Sequence, residues 1–220
     1  MQKGVILFIF AQETAPFMKL PSRYLQDAVD QLSTLPSIGK RSALRLVLSL
    51  LHRKPEEIER FAQAFLALKT HVKHCKSCKN ISDNEICSIC SNPQRNHEII
   101  CLVEDIRDIL AIEETNSFKG IYHVLGGIIS PMDGIGPNDL NINDLIFKAS
   151  SSKVKEIIFA LSPTMEGDTT NYYLYKKLKP FDLLITTLSR GVSVGSELHY
   201  TDGLTLGRSL MNRTPFKLES

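Results

Sequence analysis

Residues 75–90 read CKSCKNISDNEICSIC, two Cys-x-x-Cys pairs (Cys75 with Cys78, Cys87 with Cys90) separated by eight residues. Each pair sits on a short turn that can aim both sulfurs inward, and two such pairs close a tetrahedral thiolate site of the kind that holds structural zinc. The Asn, Ser, Asp and Asn residues between the pairs form turns but carry too little apolar surface to fold unaided, so the metal must supply the local stability. Two disulfides or a redox dithiol are the alternative. Nothing else in the sequence suggests an oxidising compartment, however, and a redox motif needs no duplicate. His71, His74 and His97 flank the knuckle without being required, because four thiolates already fill the shell. Cys101 lies in an apolar run and reads as a core residue. A closed four-thiolate site performs no chemistry; it is expected to mark a joint between domains.

A chain of 220 residues, 43% hydrophobic and 23% charged, can bury a core of one or two domains beside such a knuckle. A net charge of +2 is too mild to establish a polyanionic partner, so a nucleic-acid reading has to come from local clusters of Lys and Arg. Near the start, Lys3 precedes an apolar run from Val5 to Phe10 that is too short to span a membrane and has no small-residue cleavage site directly after it. Residues 1–17 are therefore expected to be an extension ahead of a natural start at Met18, outside the fold. The protein is expected to be soluble, cytoplasmic and without a membrane partner.

Upstream of the knuckle, residues 18–73 read as helices. Leu25, Ala28, Val29 and Leu32 recur at helical spacing from Ser22, and Pro36 ends the pattern. A second helix begins near Lys40, with Leu44, Val47, Leu48 and Leu51 expected on its buried face. Pro36-Ser37-Ile38-Gly39 is then a tight connection, and the pair reads as a helix-hairpin-helix. Lys40, Arg41 and Arg45 fall in the opening turns of the second helix, where the dipole disfavours cations and welcomes anions; that placement suggests a bound phosphate. A merely solvated basic face is the alternative. Pro55, Glu56 and Glu57 start a third helix running to about Lys73, with Ile58, Phe61, Ala62 and Phe65 as its expected buried stripe.

Beyond a knuckle domain of residues 74–95, the texture changes over 96–190 to strands alternating with helices. Strands are expected at 99–103, 121–125, 156–161 and 183–188, with helical crossovers through Ile112, from an Asn143 cap, and over 170–178. That alternation implies a parallel sheet covered by helices. Residues 191–220 form a tail, with a short strand at 197–200 and a helix capped by Asp202. The whole is an α+β chain: helix-hairpin-helix, zinc finger, parallel α/β domain, strand-helix tail.

Functional groups in a parallel sheet gather at the carboxyl ends of its strands, where Glu104, Glu166 and Asp168 fall. Converging carboxylates repel unless a cation intervenes, and all-oxygen ligands suit a weakly held Mg²⁺. Equally, these acids can simply decorate helix N-termini. No G-x-x-x-x-G-K-[ST] phosphate loop is present, and Ser189, Ser193 and Ser196 have no recognisable His and acid partners. Tyr172, Tyr173 and Tyr175 read as core packing on a helix.

The order of these segments resembles the bacterial recombination mediator family RecR from Met18 to Arg213. LPSIGKRSALRL, the four cysteines, CLVE, YHVLGG, SPMDGIGP, SPTMEGDTTNYYL, TTLSRG and YTDGLTLGRSLMNR follow one another as in that family. The resemblance implies a Toprim domain and a structural zinc finger, with Cys75, Cys78, Cys87 and Cys90 as ligands. It also implies homo-oligomers, a dimer or tetrameric ring, and binding of single- and double-stranded DNA without turnover. Its implied partners are RecO and RecF, with RecA loaded on gapped single strands in recombinational repair near the nucleoid. The departures are Ser37 where the family usually has glycine, Glu166-Gly-Asp168 where Toprim enzymes carry Asp-x-Asp, and Ser193 and His199 for a proline and a glutamate. The competing class is a Mg²⁺-dependent Toprim enzyme acting on DNA phosphodiesters. A zinc-stabilised interaction module that never touches DNA is a blander third class, and the basic cluster at Lys40, Arg41 and Arg45 argues against it.

Overall fold

Val29, Ala43 and Val47 are buried together between two short helices, and that small cluster is the core of the amino-terminal part of the chain. The computed structural model describes residues 20–151, 153–193, 195 and 197–215. The proposed extension 1–17 and start at Met18 lie outside the described residues. The chain divides into two compact units, one ending at Thr70 and one beginning at His71; the knuckle therefore shares a unit with the strands that follow it.

In the first unit, α1 (Arg23–Leu32) starts at Ser22, whose hydroxyl accepts from the Leu25 N–H at 3.4 Å. α2 (Lys40–Leu51) starts at Gly39 in an extended conformation, and α3 (Pro55–His71) opens with Pro55, Glu56 and Glu57, which suit a helix N-terminus. Helical periodicity located all three, but it did not locate what covers them. Leu48 and Leu51, expected to be buried on α2, are exposed, and Leu51 is 68% exposed. On α3 no residue is buried; of the expected stripe, Phe61 and Phe65 are 40% and 59% exposed. On α2, Val47 and Leu44 pack against α1, whereas the rest of its stripe and that of α3 have no cover among the described residues.

The second unit opens with β1 (Lys73–His74) paired antiparallel to β2 (Ile81–Ser82), followed by one helical turn, α4 (Ser88–Ser91). β3 (Asn96–Val103), α5 (Ile106–Glu114), β4 (Gly120–Val124), α6 (Ile142–Ala149), β5 (Glu156–Ala160), α7 (Met165–Leu178) and β6 (Leu184–Thr187) then alternate. All four long strands are parallel in the order β4-β3-β5-β6. Residues alternate across the central strand: Ile100 and Leu102 pack with Leu145, Ile157, Leu174 and Leu178, while Cys101 and Val103 pack with Ile109 and Tyr122 on the other face. Burial on both faces explains why the strands read as continuous apolar runs.

Several details differ from expectation. Asn143 lies inside α6, whose cap position is Asn141; that amide donates instead to the Val124 carbonyl at 3.0 Å. α7 begins at Met165 and not near Thr170, because Thr164 caps it by accepting from the Gly167 N–H at 3.1 Å. Tyr172 and Tyr175 are exposed on α7, with the Lys176 ammonium 4.4 Å from the Tyr172 ring centroid. The strand expected at 197–200 is a 3₁₀ turn (Leu198–Tyr200), since no neighbouring strand among the described residues offers it a ladder; α8 (Gly203–Met211) follows, capped as expected by Asp202.

Ser37 carries the backbone strain that its replacement of glycine implied: its φ is +66°. A left-handed conformation costs a residue with a Cβ about 1 kcal/mol that glycine does not pay. Ser37→Gly is therefore expected to raise stability by about 0.5–1 kcal/mol in denaturant titration, and Ser37→Val to lower it. Equal midpoints for Ser, Gly and Val would contradict this account.

Candidate zinc centre and nucleic-acid interface

The four knuckle cysteines come together as the spacing demanded. Their sulfurs all lie within 4.8 Å of one another, Cys78 Sγ and Cys87 Sγ at 3.5 Å. A tetrahedron with bonds of about 2.3 Å has sulfur–sulfur edges of about 3.8 Å, so zinc fits with small adjustment. No cysteine is in a disulfide. The turns are built from the backbone: the Lys79 N–H donates to the Cys75 carbonyl at 2.9 Å, the Cys75 N–H to the Asn80 carbonyl at 2.7 Å, and Lys79 takes a φ of +64°. Cys87 caps α4, its sulfur accepting from the Cys90 N–H at 3.4 Å; the Cys87 N–H donates to Cys75 Sγ at 3.3 Å. Such N–H···S bonds favour thiolates. Hydrogen bonding with Cys90 pushes the Cys78 thiol up, and the same pairing holds Cys90 down to about 5. Sulfurs this close hold their protons unequally until a metal cation replaces them.

The knuckle is fastened to the sheet. The Val124 N–H at the end of β4 donates to the Cys78 carbonyl at 2.8 Å, and Ile89 of α4 packs both on the cysteines and on the Tyr122 side of the core. On the segment leaving the knuckle, the Arg95 guanidinium makes a two-pronged ion pair with Glu113 and also donates to the Phe118 carbonyl at 3.1 Å. The Tyr122 hydroxyl donates to the same carboxylate at 2.6 Å. Hydrogen bonding from Arg95 outweighs burial and holds Glu113 below the usual carboxylate range. Below α4, the Lys79 ammonium meets Asp144 at 3.1 Å, while one turn along α6 Lys148 Nζ lies 3.3 Å from Nδ1 of the fully buried His123. Burial pushes the Lys148 ammonium below its ordinary range, and the nearby Cys90, Cys78 and Cys75 sulfurs pull it back up.

In the helical unit, Lys40, Arg41 and Arg45 are exposed at the amino end of α2. Gly39 supplies no side chain to cap that end, and no acid lies in the first turn. Lys40 faces Asp30 at 3.5 Å, whereas Arg41 and Arg45 have no carboxylate within ion-pair distance among the described residues. Open N–H groups, the helix dipole and these two guanidinium groups, four residues apart and so on one face, make a surface suited to phosphate oxygens.

The three acids reach the carboxyl edge of the sheet by different routes. Glu104 follows β3 and accepts from the Ser162 hydroxyl at 2.7 Å, next to the end of β5. Glu166 and Asp168 sit in the first turn of α7, Glu166 exposed and Asp168 bonded to Arg190 at 2.6 Å with Arg208 at 3.7 Å. The Arg190 guanidinium holds the Asp168 carboxyl below its usual range. Gly167 between them is needed for close approach, because a Cβ there would meet the Ser162 carbonyl at 1.9 Å. Among the described residues the four cysteines are the one group of three or more Cys, His or acidic side chains whose ligand atoms converge; the three acids do not form another.

Family models match in the same order as the geometry. A RecR helix-hairpin-helix matches residues 25–68, a RecR zinc finger domain of the four-cysteine type 72–92, a Toprim domain 98–189 and the RecR C-terminal segment 191–214. Recombination protein RecR of Parabacteroides distasonis is 54% identical over 92% of this chain and 97% of its own length. The chain belongs to the RecR family. Relatives of the same name from Flavobacterium johnsoniae and Porphyromonas gingivalis are 54% and 50% identical, over 91% and 90% of this chain and 97% and 96% of their own lengths. With the RecR-type zinc finger matched and its four sulfurs gathered, zinc is the structural cofactor. Sequence reading missed Arg190 and Arg208 as partners of Asp168, and Lys148 and His123 beside the knuckle. TTLSRG and LGRSLMNR contain both arginines, but nothing in their spacing indicated that they close on one acid.

One tightly held zinc per chain is expected by elemental analysis of gently purified protein. Cys87→Ser is expected to abolish stoichiometric binding and to lower the unfolding temperature of the 71–220 unit, because its small hairpin lacks an apolar core of its own. Protein that contains no zinc yet melts at the same temperature would refute the structural assignment.

Proposed function

We propose that this chain is a DNA-binding recombination mediator in recombinational DNA repair, acting with RecO and RecF to load RecA on gapped single-stranded DNA. The observation that carries the reading is the open amino end of α2, where Arg41 and Arg45 stand without a carboxylate partner among the described residues, beside uncapped N–H groups in a RecR-type helix-hairpin-helix. The name shared by the relatives, recombination protein, supports the pathway. Contacts to phosphate ignore base sequence, so single- and double-stranded DNA are both substrates for binding. A DNA partner puts the protein in the cytoplasm, at the nucleoid. No described helix is long and apolar enough to cross a membrane.

The chain works as a homo-oligomer, a dimer or a tetrameric ring. Two apolar surfaces, one in each unit, support this: Phe61, Phe65 and Leu66 on α3, and Leu204, Leu210 and Met211 on α8, are all exposed. Two separate apolar faces give each chain two contacts with neighbours, enough to build a ring, and one of them alone is enough for a dimer.

One observation favours a Mg²⁺-dependent enzyme acting on DNA phosphodiesters instead: three acids end at the carboxyl edge of a Toprim sheet. Against it, Asp168 is already neutralised by two arginines, and we assign Glu104 and Glu166 to docking a basic partner surface or to a weakly held Mg²⁺.

Replacing Lys40, Arg41 and Arg45 with Ala is expected to weaken DNA binding alike for all sequences. The slope of log affinity against log salt should fall by about 0.7–0.9 for each phosphate interaction removed. Unchanged affinity and slope would move the DNA surface elsewhere. In parallel, Mg²⁺ or Mn²⁺ with supercoiled, gapped and single-stranded DNA is expected to give no product; cleavage or relaxation that disappears in Glu104→Ala would replace the mediator with the enzyme.

A further inference from the structure

Zinc with four thiolates carries a net charge of −2, and here three of the four cysteines are buried. A partly buried dianion must be balanced by N–H donors or by cations. The two lysines between the first and last cysteine are spent: Lys76 pairs with Glu85 at 2.8 Å and Lys79 with Asp144 at 3.1 Å. Lys148 is different. It is half-buried on α6, one turn beyond Asp144 on the face that meets the knuckle, and has no carboxylate within ion-pair distance among the described residues.

Its hydrogen-bond partner is instead a neutral ring. His123 Nε2 lies 2.8 Å from the Asn141 carbonyl, which can only accept, so Nε2 carries the proton and the bare Nδ1 accepts from the Lys148 ammonium. His123 is fully buried on β4, directly before the residue whose N–H holds Cys78. It therefore positions a charge without cancelling it. We propose that Lys148, braced by neutral His123, is the counter-charge of the zinc tetrathiolate and sets how slowly the knuckle gives up its zinc. This proposal is independent of the DNA reading.

The test measures zinc transfer from the full-length, zinc-loaded protein to an uncharged chelator, comparing the parent with Lys148→Gln, Lys148→Met and Lys148→Arg. Gln keeps a donor to His123 Nδ1 but removes the charge; Arg keeps the charge. Lys148→Gln and Lys148→Met are expected to lose zinc about tenfold faster, and Lys148→Arg to remain near the parent. Parental release from Lys148→Gln would assign any effect of Met to the hydrogen bond and overturn the proposal. Equal acceleration in Gln and Arg would do the same. So would failure of both uncharged variants to fold as zinc-loaded protein, because Lys148 would then act through packing.

Discussion

The constraint on which the 71–220 unit depends is the closure of four sulfurs around one ion at the edge of its sheet. β4 is an edge strand, and an edge strand presents unpaired backbone groups that invite aberrant pairing. Here the knuckle covers the end of that edge: Cys78 accepts from the Val124 N–H, and Ile89 packs onto the core beside Tyr122. The knuckle has little regular structure of its own to hold its loops in that shape, since β1 and β2 pair over two residues each and residues 83–86 are polar apart from Ile86. The metal thus supplies locally what hydrophobic burial supplies in the sheet. The Arg95–Glu113–Tyr122 network then fixes the exit of the knuckle to α5 and β4, so that a metal-held element and an apolar core become one unit.

The two charged regions of the molecule are handled oppositely. At the sheet's carboxyl edge two aspartates are cancelled internally, Asp168 by Arg190 and Arg208, Asp105 by Arg107 and by the helix it caps. At the start of α2 Arg41 and Arg45 have no carboxylate within ion-pair distance among the described residues, and they add to a helix end that is already positive. A chain gains nothing in stability from that second arrangement, because the cations oppose the dipole. The contrast separates groups that hold the fold from groups available to an anion.

How much of this was legible in the sequence depended on whether the signal was local. The cysteine spacing is a geometric statement about one turn repeated, so it picked out the four sulfurs that converge. Apolar runs bounded by turn residues located the four parallel strands, because both faces of the sheet are buried. Ser37 stood out only through the family resemblance, which puts glycine at that position. What spacing could not give were contacts made between elements distant in sequence. Arg190 and Asp168 are separated by twenty-two positions, and His123 and Lys148 by twenty-five. The start of α7 was placed too late, although the reading of Glu166 and Asp168 as acids at a helix N-terminus fits their place in its first turn, where Gly167, lacking a Cβ, lets that turn lie against Ser162.

The misplaced burial on α2 and α3 has a different origin. Helical periodicity reports that a stripe is apolar; it does not report which surface will cover it. Phe61 and Phe65 stack edge to face at 4.9 Å on a helix of seventeen residues with no buried position, an arrangement that leaves much of both aromatic rings in water. Burying a large apolar side chain contributes about 1.5–3 kcal/mol, a gain that the isolated helix forgoes at several positions in succession. An isolated helix of this length is itself marginal in water, so a face of this kind is stable as a helix chiefly when something packs on it. The same residues that falsify the expected intramolecular core therefore carry the argument for association. A stripe left without cover among the described residues of its own unit is the pattern that an interface writes into a sequence, and it is indistinguishable there from the pattern of a core.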